Sequence, residues 1–245
     1  MRAILKFFQF VVVFIIISAS INAWSSEKKI AVILSGCGVF DGSEISEAVL
    51  TMLAIDREGA KFECFAPDKE QMHVINHLTQ KSEQDEKRNV LKEAARIARG
   101  NIEALDKLDI NKIDAIILPG GFGAAKNLCD FAVKGPECTV DSLVAKVLKE
   151  AHAAGKPLGF ICIAPVIAAN LFGSDNVNIT IGNDIATASA LEKMGAKHIS
   201  CQASQAVFDE KLKIITTPAF MSGKSMSEVA DGIQELVKKT INACD

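Results

Sequence analysis

Cys162 follows the apolar run Leu158-Gly159-Phe160-Ile161 and precedes Ile163-Ala164-Pro165 and the helix-like stretch Val166 to Phe172. A thiol at such a strand-to-helix turn projects above the sheet. Main-chain N–H groups at the start of the helix then lower its pKa and can hold an oxyanion. That arrangement suits nucleophilic attack on a carbonyl. It equally suits a thiol packed in a core, the commoner fate of an apolar-flanked cysteine. Two glycine-rich turns, Ser35-Gly36-Cys37-Gly38 and Gly120-Gly121-Phe122-Gly123, also close apolar runs. Glycines there admit backbone close to a ligand and offer N–H donors, although tight turns alone also favour glycine.

Glu44 and Glu47 open a helix that starts at Ser43. An acid in a first turn ordinarily complements the helix dipole. Turned inward, Glu47 could instead hydrogen-bond the Cys162 sulfur and shuttle a proton, with its pKa raised by burial. Gly36, Cys37 and His77, the last in Ile75-Asn76-His77-Leu78, are candidates to contact substrate. A solvated or packing role is the commoner one for a lone histidine.

The elements that must position these groups alternate. Strands read over Lys29–Leu34, Lys61–Phe65, Asp114–Leu118, Pro157–Ile161, Asn178–Ile181 and Lys213–Thr217. Helices read over Ser43–Gly59, Arg88–Arg99, Val140–Ala153, Val166–Phe172 and Ser225–Ile241. Near-continuous apolar strands between helices imply an α/β fold, a mostly parallel sheet covered on both faces, with ligands gathering at the carboxyl ends of the strands. The three unusual loops all lie at that end.

The 245 residues carry a formal net charge of -3, with 49% hydrophobic and 23% charged residues, the balance of a globular protein rather than a nucleic-acid binder. The spacing Gly36-x-Gly38-x-x-x-Gly42 misses the dinucleotide fingerprint by one residue. Arg2 and Lys6 precede an apolar block from Phe7 to Ile17 that small and polar residues close by Ala23. That order predicts a signal peptide, or an uncleaved anchor, over residues 1–26, and a single domain over residues 27–245. Export to the periplasm follows from it, with membrane association only if the leader stays attached. The seven cysteines contain no CxxC pair and no zinc-type spacing, so no metal is expected.

Four blocks carry a resemblance: Ile33 to Ile45, Phe65-Ala66-Pro67-Asp68, Leu118 to Leu128, and Gly159 to Pro165. They resemble the ElbB family, a branch of the PfpI-type, class I glutamine amidotransferase-like superfamily, from about Lys29 to the C-terminus. The resemblance implies a flavodoxin-like three-layer sandwich with Cys162 on a nucleophile elbow, Glu47 as its acidic partner, and an oxyanion hole from the Gly121 and Ile163 N–H groups. It further implies a homodimer that converts small dicarbonyls, glyoxal to glycolate, without glutathione, metal or any other cofactor. A cytoplasmic location, usual in that family, is the alternative to export. Amidotransferases pair their cysteine with a histidine, but downstream of Cys162 this chain has only His198, so glutamine hydrolysis and peptidase activity are not expected. The alternative function is a redox sensor or binding protein in which Cys162 is oxidised beside Glu47 without turnover.

Overall fold

The computed structural model of the chain describes residues 27–244, so the leader expected over residues 1–26 lies outside it. Strands β1 (Lys29–Ile33), β2 (Lys61–Ala66), β3 (Ile102–Ala104), β4 (Ala115–Leu118), β5 (Leu158–Ile161), β6 (Val207–Asp209) and β7 (Ile214–Thr217) form one sheet. Its spatial order is β6-β7-β5-β4-β1-β2-β3. Every neighbouring pair is parallel except β6 with β7.

Alternate residues of each strand feed two cores. Ala31, Ile33, Ile116, Leu118 and Phe160 face helices α4 (Ser142–Ala153) and α5 (Pro165–Phe172). Ile30, Val32, Ile117 and Ile215 face α1 (Ile45–Arg57), α2 (Val90–Ile97) and α7 (Met226–Asn242). The remaining labelled helices, α3 (Phe122–Lys126) and α6 (Ile185–Lys193), are short. Ile30 through Leu34 are wholly buried, which explains why β1 reads as an unbroken apolar run rather than an alternating one. Each of the Ile, Val and Leu side chains among them contributes about 1.5–3 kcal/mol by leaving water. The result is the flavodoxin-like α/β sandwich that the strand and helix order implied.

Three differences from the sequence reading stand out. The segment around Asn178 pairs with Lys197–His198 in a separate two-stranded ribbon instead of joining the main sheet. The stretch after β2 carries a second small ribbon, Ile75–Asn76 against Lys81–Ser82. The sheet edges β3 and β6 have no apolar run to announce them, because edge strands are short and half-exposed. Among the described residues no helix is long and apolar enough to cross a membrane.

Candidate active site

Cys162 sits between β5 and α5 with φ of 63°, a left-handed conformation that costs a non-glycine residue about 1–2 kcal/mol. Its N–H donates to the Thr217 carbonyl oxygen at 2.9 Å, so the adjoining strand β7 holds the elbow. Helix α5 begins with Pro165 and has no side-chain cap, which leaves the Ile163 N–H free to point at the sulfur. Gly121 plays the matching part at α3: with φ of 92° and no capping side chain, it turns its N–H to the same sulfur.

Glu47 is wholly buried on the first turn of α1. The Glu44 carboxylate caps that turn by accepting from the Glu47 N–H at 2.6 Å. The Glu44 N–H in turn donates to the Gly120 carbonyl oxygen at 2.9 Å, tying the start of α1 to the end of β4. Glu47 Oε2 accepts from the Gly120 N–H at 3.0 Å, and Oε1 accepts from the Phe220 N–H at 3.3 Å. Its carboxyl is also hydrogen-bonded to the Cys162 thiol. Gly120 is obligatory in this corner. A Cβ there would lie 2.4 Å from Cys162 Cβ and 2.6 Å from Glu47 Oε2.

Burial pushes the Glu47 carboxyl up to about 8, with the nearby Glu44 charge adding to the shift and the Cys162 and main-chain hydrogen bonds opposing it. The thiol behaves differently from the sequence expectation. Two N–H groups do favour the Cys162 thiolate, but burial, the Glu47 charge and the Glu47 hydrogen bond outweigh them and push the thiol well above its ordinary value. The residue is only 8% exposed. Both groups are thus protonated at neutral pH, and the first proton to leave is shared between sulfur and carboxyl.

The four expected groups Cys162, Glu47, Gly121 and Ile163 therefore meet around one sulfur. Of the remaining three, Gly36 and Cys37 belong to the loop after β1, and His77 belongs to the small ribbon after β2 that is bonded to that loop. Gly36 packs against Gly42 and the Gln71 side chain. Cys37 is half-buried against the core under α1 and α2, and its thiol is raised first by burial and then by the Glu93 charge. His77 Nε2 accepts from the Phe40 N–H at 3.3 Å, which leaves the ring proton on Nδ1, 3.0 Å from the Ile75 carbonyl oxygen. Nε2 thus holds the loop to the small ribbon, while Nδ1 bonds within the ribbon itself. That loop braces the oxyanion corner through Phe122 N–H to Val39 O at 2.7 Å and Gly123 N–H to Gly42 O at 2.9 Å.

Gly120, Glu44 and the Phe220 N–H escaped the sequence reading as site groups. The doubled glycine of Gly120-Gly121 was a usable signal for the first, and a first-turn acid three residues before Glu47 for the second. No local signal marks Phe220, whose N–H arrives from 173 positions away. Among the described residues no cluster of three or more His, Cys, Asp or Glu side chains could hold a metal ion.

No family model matches the chain. It is 46% identical over 222 residues, 87% of this chain and 82% of the relative, to the human mitochondrial glutamine amidotransferase-like class 1 domain-containing protein 3. A mitochondrial ES1 protein homolog from Rattus norvegicus is also 46% identical over 222 residues, 87% of this chain and 83% of the relative. The crystal structure of an isoprenoid biosynthesis protein with amidotransferase-like domain from Ehrlichia chaffeensis superposes with a TM-score of 0.81 at 36% identity, covering 87% of this chain and 99% of that one. A glyoxalase III from Candida albicans matches with a TM-score of 0.58 at 16% identity over 89% of this chain and 98% of its own, a likeness of fold alone. The chain belongs to the family of glutamine amidotransferase-like class 1 domain proteins that includes the ES1 proteins.

Proposed function

We propose that this protein is a slow, cofactor-independent glyoxalase of the ElbB type, converting small dicarbonyls such as glyoxal to 2-hydroxy acids such as glycolate. The observation that carries the reading is the contact of the Glu47 carboxyl and two main-chain N–H groups with the Cys162 sulfur. In this reading the sulfur attacks an aldehyde carbon while the Glu47 carboxylate accepts the thiol proton. The oxyanion rests on the Gly121 and Ile163 N–H groups until Glu47 returns the proton. Glu47 next removes the proton from the attacked carbon, giving an enediol, and delivers it to the neighbouring carbon. The resulting thioester is hydrolysed by water, which frees glycolate and the thiol. Proton transfer between adjacent carbons needs one base with a pKa near the working pH, and a carboxyl raised to about 8 meets that requirement. The slight exposure of Cys162 fits a small substrate. Gly36, Cys37 and His77 enter this reading through the loop that braces the oxyanion corner.

Glycolate formation from glyoxal by the wild type and Cys162→Ala tests the proposal. Loss of at least about a hundredfold in rate is expected when the nucleophile is removed. Equal rates would take Cys162 out of the mechanism. The high pKa and low exposure of Cys162 count against fast turnover and favour a second reading, a binding protein without turnover, in which oxidation of Cys162 is slow for the same reasons. A protein with no measurable dicarbonyl turnover, whose Cys162 mild peroxide oxidises only slowly, would select it.

Residues 1–26 belong to the same reading as a targeting leader. The mitochondrial names of the human and rat relatives suit such a segment and give periplasmic export no support. The mature N-terminus, determined from cell fractions, decides between organelle import and a cytoplasmic chain that keeps its leader. A homodimer is also part of the proposal, and light scattering of the purified protein measures it.

A further inference from the structure

Cys129 and Cys138 play no part in the site built around Cys162. Cys129 forms an isolated antiparallel bridge with Val140. The bridge is fixed on both sides by Asp130 N–H to Thr139 O at 3.2 Å and Asp141 N–H to Leu128 O at 2.9 Å. Residues two apart on a strand share a face, so Cys138 stands diagonally across from Cys129 on the same side as Val140. The two thiols are neighbours there, close enough for each to perturb the ionisation of the other.

Their surroundings divide the labour between them. Cys129 donates its S–H to the Ala124 carbonyl oxygen of α3 at 3.3 Å, an acceptor that keeps its proton in place. Cys138 Sγ has a donor as well as a weak acceptor: Asn170 Nδ2 of α5 is 3.6 Å from the sulfur and 2.8 Å from the Cys138 carbonyl oxygen, and the Cys138 S–H is directed at Met194 Sδ, 4.0 Å away. Of the seven cysteines, Cys138 is the one whose thiol is lowered, chiefly by the neighbouring Cys129 thiol and helped by Asn170. Cys37, Cys64, Cys129, Cys162, Cys201 and Cys244 are all raised. One thiol inclined to ionise beside a protonated partner is the arrangement of an attacking and a resolving cysteine.

We propose that Cys129 and Cys138 are a second redox site, a dithiol that closes to a disulfide when a small hydroperoxide reaches it. The Cys138 thiolate attacks the peroxide, forming a sulfenic acid and releasing hydroxide or alkoxide, which takes up a proton. The Cys129 thiol then attacks the Cys138 sulfur and expels water. In sum, two thiols lose two electrons and two protons, and the peroxide is reduced to water and an alcohol, or to two waters. Diagonal partners in an antiparallel pair stand about 7–8 Å apart, and a disulfide needs Cα atoms within about 6.8 Å, so closure calls for a small inward shift. The Gly135–Glu137 turn ends directly at Cys138, so that shift falls at the joint between the turn and the bridge. The proposal stands whether or not Cys162 is catalytic.

Peptide mapping without reductant tests it on the full chain. Trypsin cuts after Lys126, Lys134 and Lys146, placing Cys129 in the peptide 127–134 and Cys138 in the peptide 135–146. After equimolar hydrogen peroxide and alkylation of the remaining thiols, the two peptides should appear joined, at their summed mass less two hydrogens, and separate on reduction. The joined pair should persist in Cys162→Ala and vanish in Cys138→Ser. Peroxide doses that oxidise Cys162 but leave both Cys129 and Cys138 open to alkylation would overturn the proposal. So would oxygen added to either residue without a link.

Discussion

Two thiols in this molecule lie under the same sheet-and-helix architecture and are driven in opposite directions. Cys162 receives two main-chain N–H groups, the arrangement expected to ionise it, yet its thiol is raised; Cys138 receives a side-chain amide and lies beside a second thiol, and its thiol is lowered. Both residues are under a tenth exposed. Burial is the first cause of the rise at Cys162, and the partner is the second. Glu47, once ionised, sets a negative charge beside the Cys162 sulfur where little water screens it, whereas the neighbour of Cys138 is a neutral thiol. A nucleophile elbow is therefore not enough to make a thiolate, and at Cys162 the acidity belongs to the sulfur and carboxyl together.

Substitutions and pH can break or sharpen that contrast. Gly120→Ala should do the most damage, because its Cβ would strike Cys162 Cβ at 2.4 Å and the Ile161 carbonyl oxygen at 2.8 Å. Overpacking that costs about 3 kcal/mol lowers the melting temperature of a chain this size by about 6–12 °C, readable by calorimetry. In molecules that stay folded, the link between Cys129 and Cys138 should still form. Glu47→Gln removes the base while keeping the shape, and glyoxal turnover should fall about 10²- to 10⁴-fold. If the rate survives, the carboxyl is a structural group and the contrast loses its chemical meaning.

The pH profile has a definite sign. Glu47 is protonated below a pKa of about 8, and only its carboxylate can accept the thiol proton, so kcat/KM should climb with pH and level off above about 8. The climb should be about tenfold per pH unit, as for a single essential base. A rate that is flat from pH 6 upward would show an already ionised Cys162. The smallest effect belongs to the other thiol. Asn170→Ala deletes one hydrogen bond to Cys138 and should slow peroxide-driven disulfide formation about 2–10-fold, matching the usual worth of such a bond. An unchanged rate would leave Cys129 alone responsible for the acidity of Cys138.

The elbow was legible because β5, Cys162 and α5 are contiguous, and a short apolar strand followed by Pro165 marks both ends of the turn. Glu47 was legible from its place in the first turn of α1, as was its raised pKa, since an acid turned inward has to be buried. The edge strands β3 and β6 were not, because their pairing depends on neighbours far along the chain. The dithiol was hidden for the same reason. Nine positions separate Cys129 from Cys138, with no CxxC spacing, and only the bridge to Val140 folds one back onto the other.

Sequence by itself determined the alternation of strands and helices, the side of the sheet where chemistry collects, and the residue types gathered there, since all of these are written in local periodicity and turn composition. Tertiary structure decided the protonation of each sulfur, the hold of the Phe220 N–H on Glu47, and the meeting of the two thiols beside α3 and α5. Those outcomes depend on distance and on the exclusion of water, and both arise only when segments remote in the chain pack together.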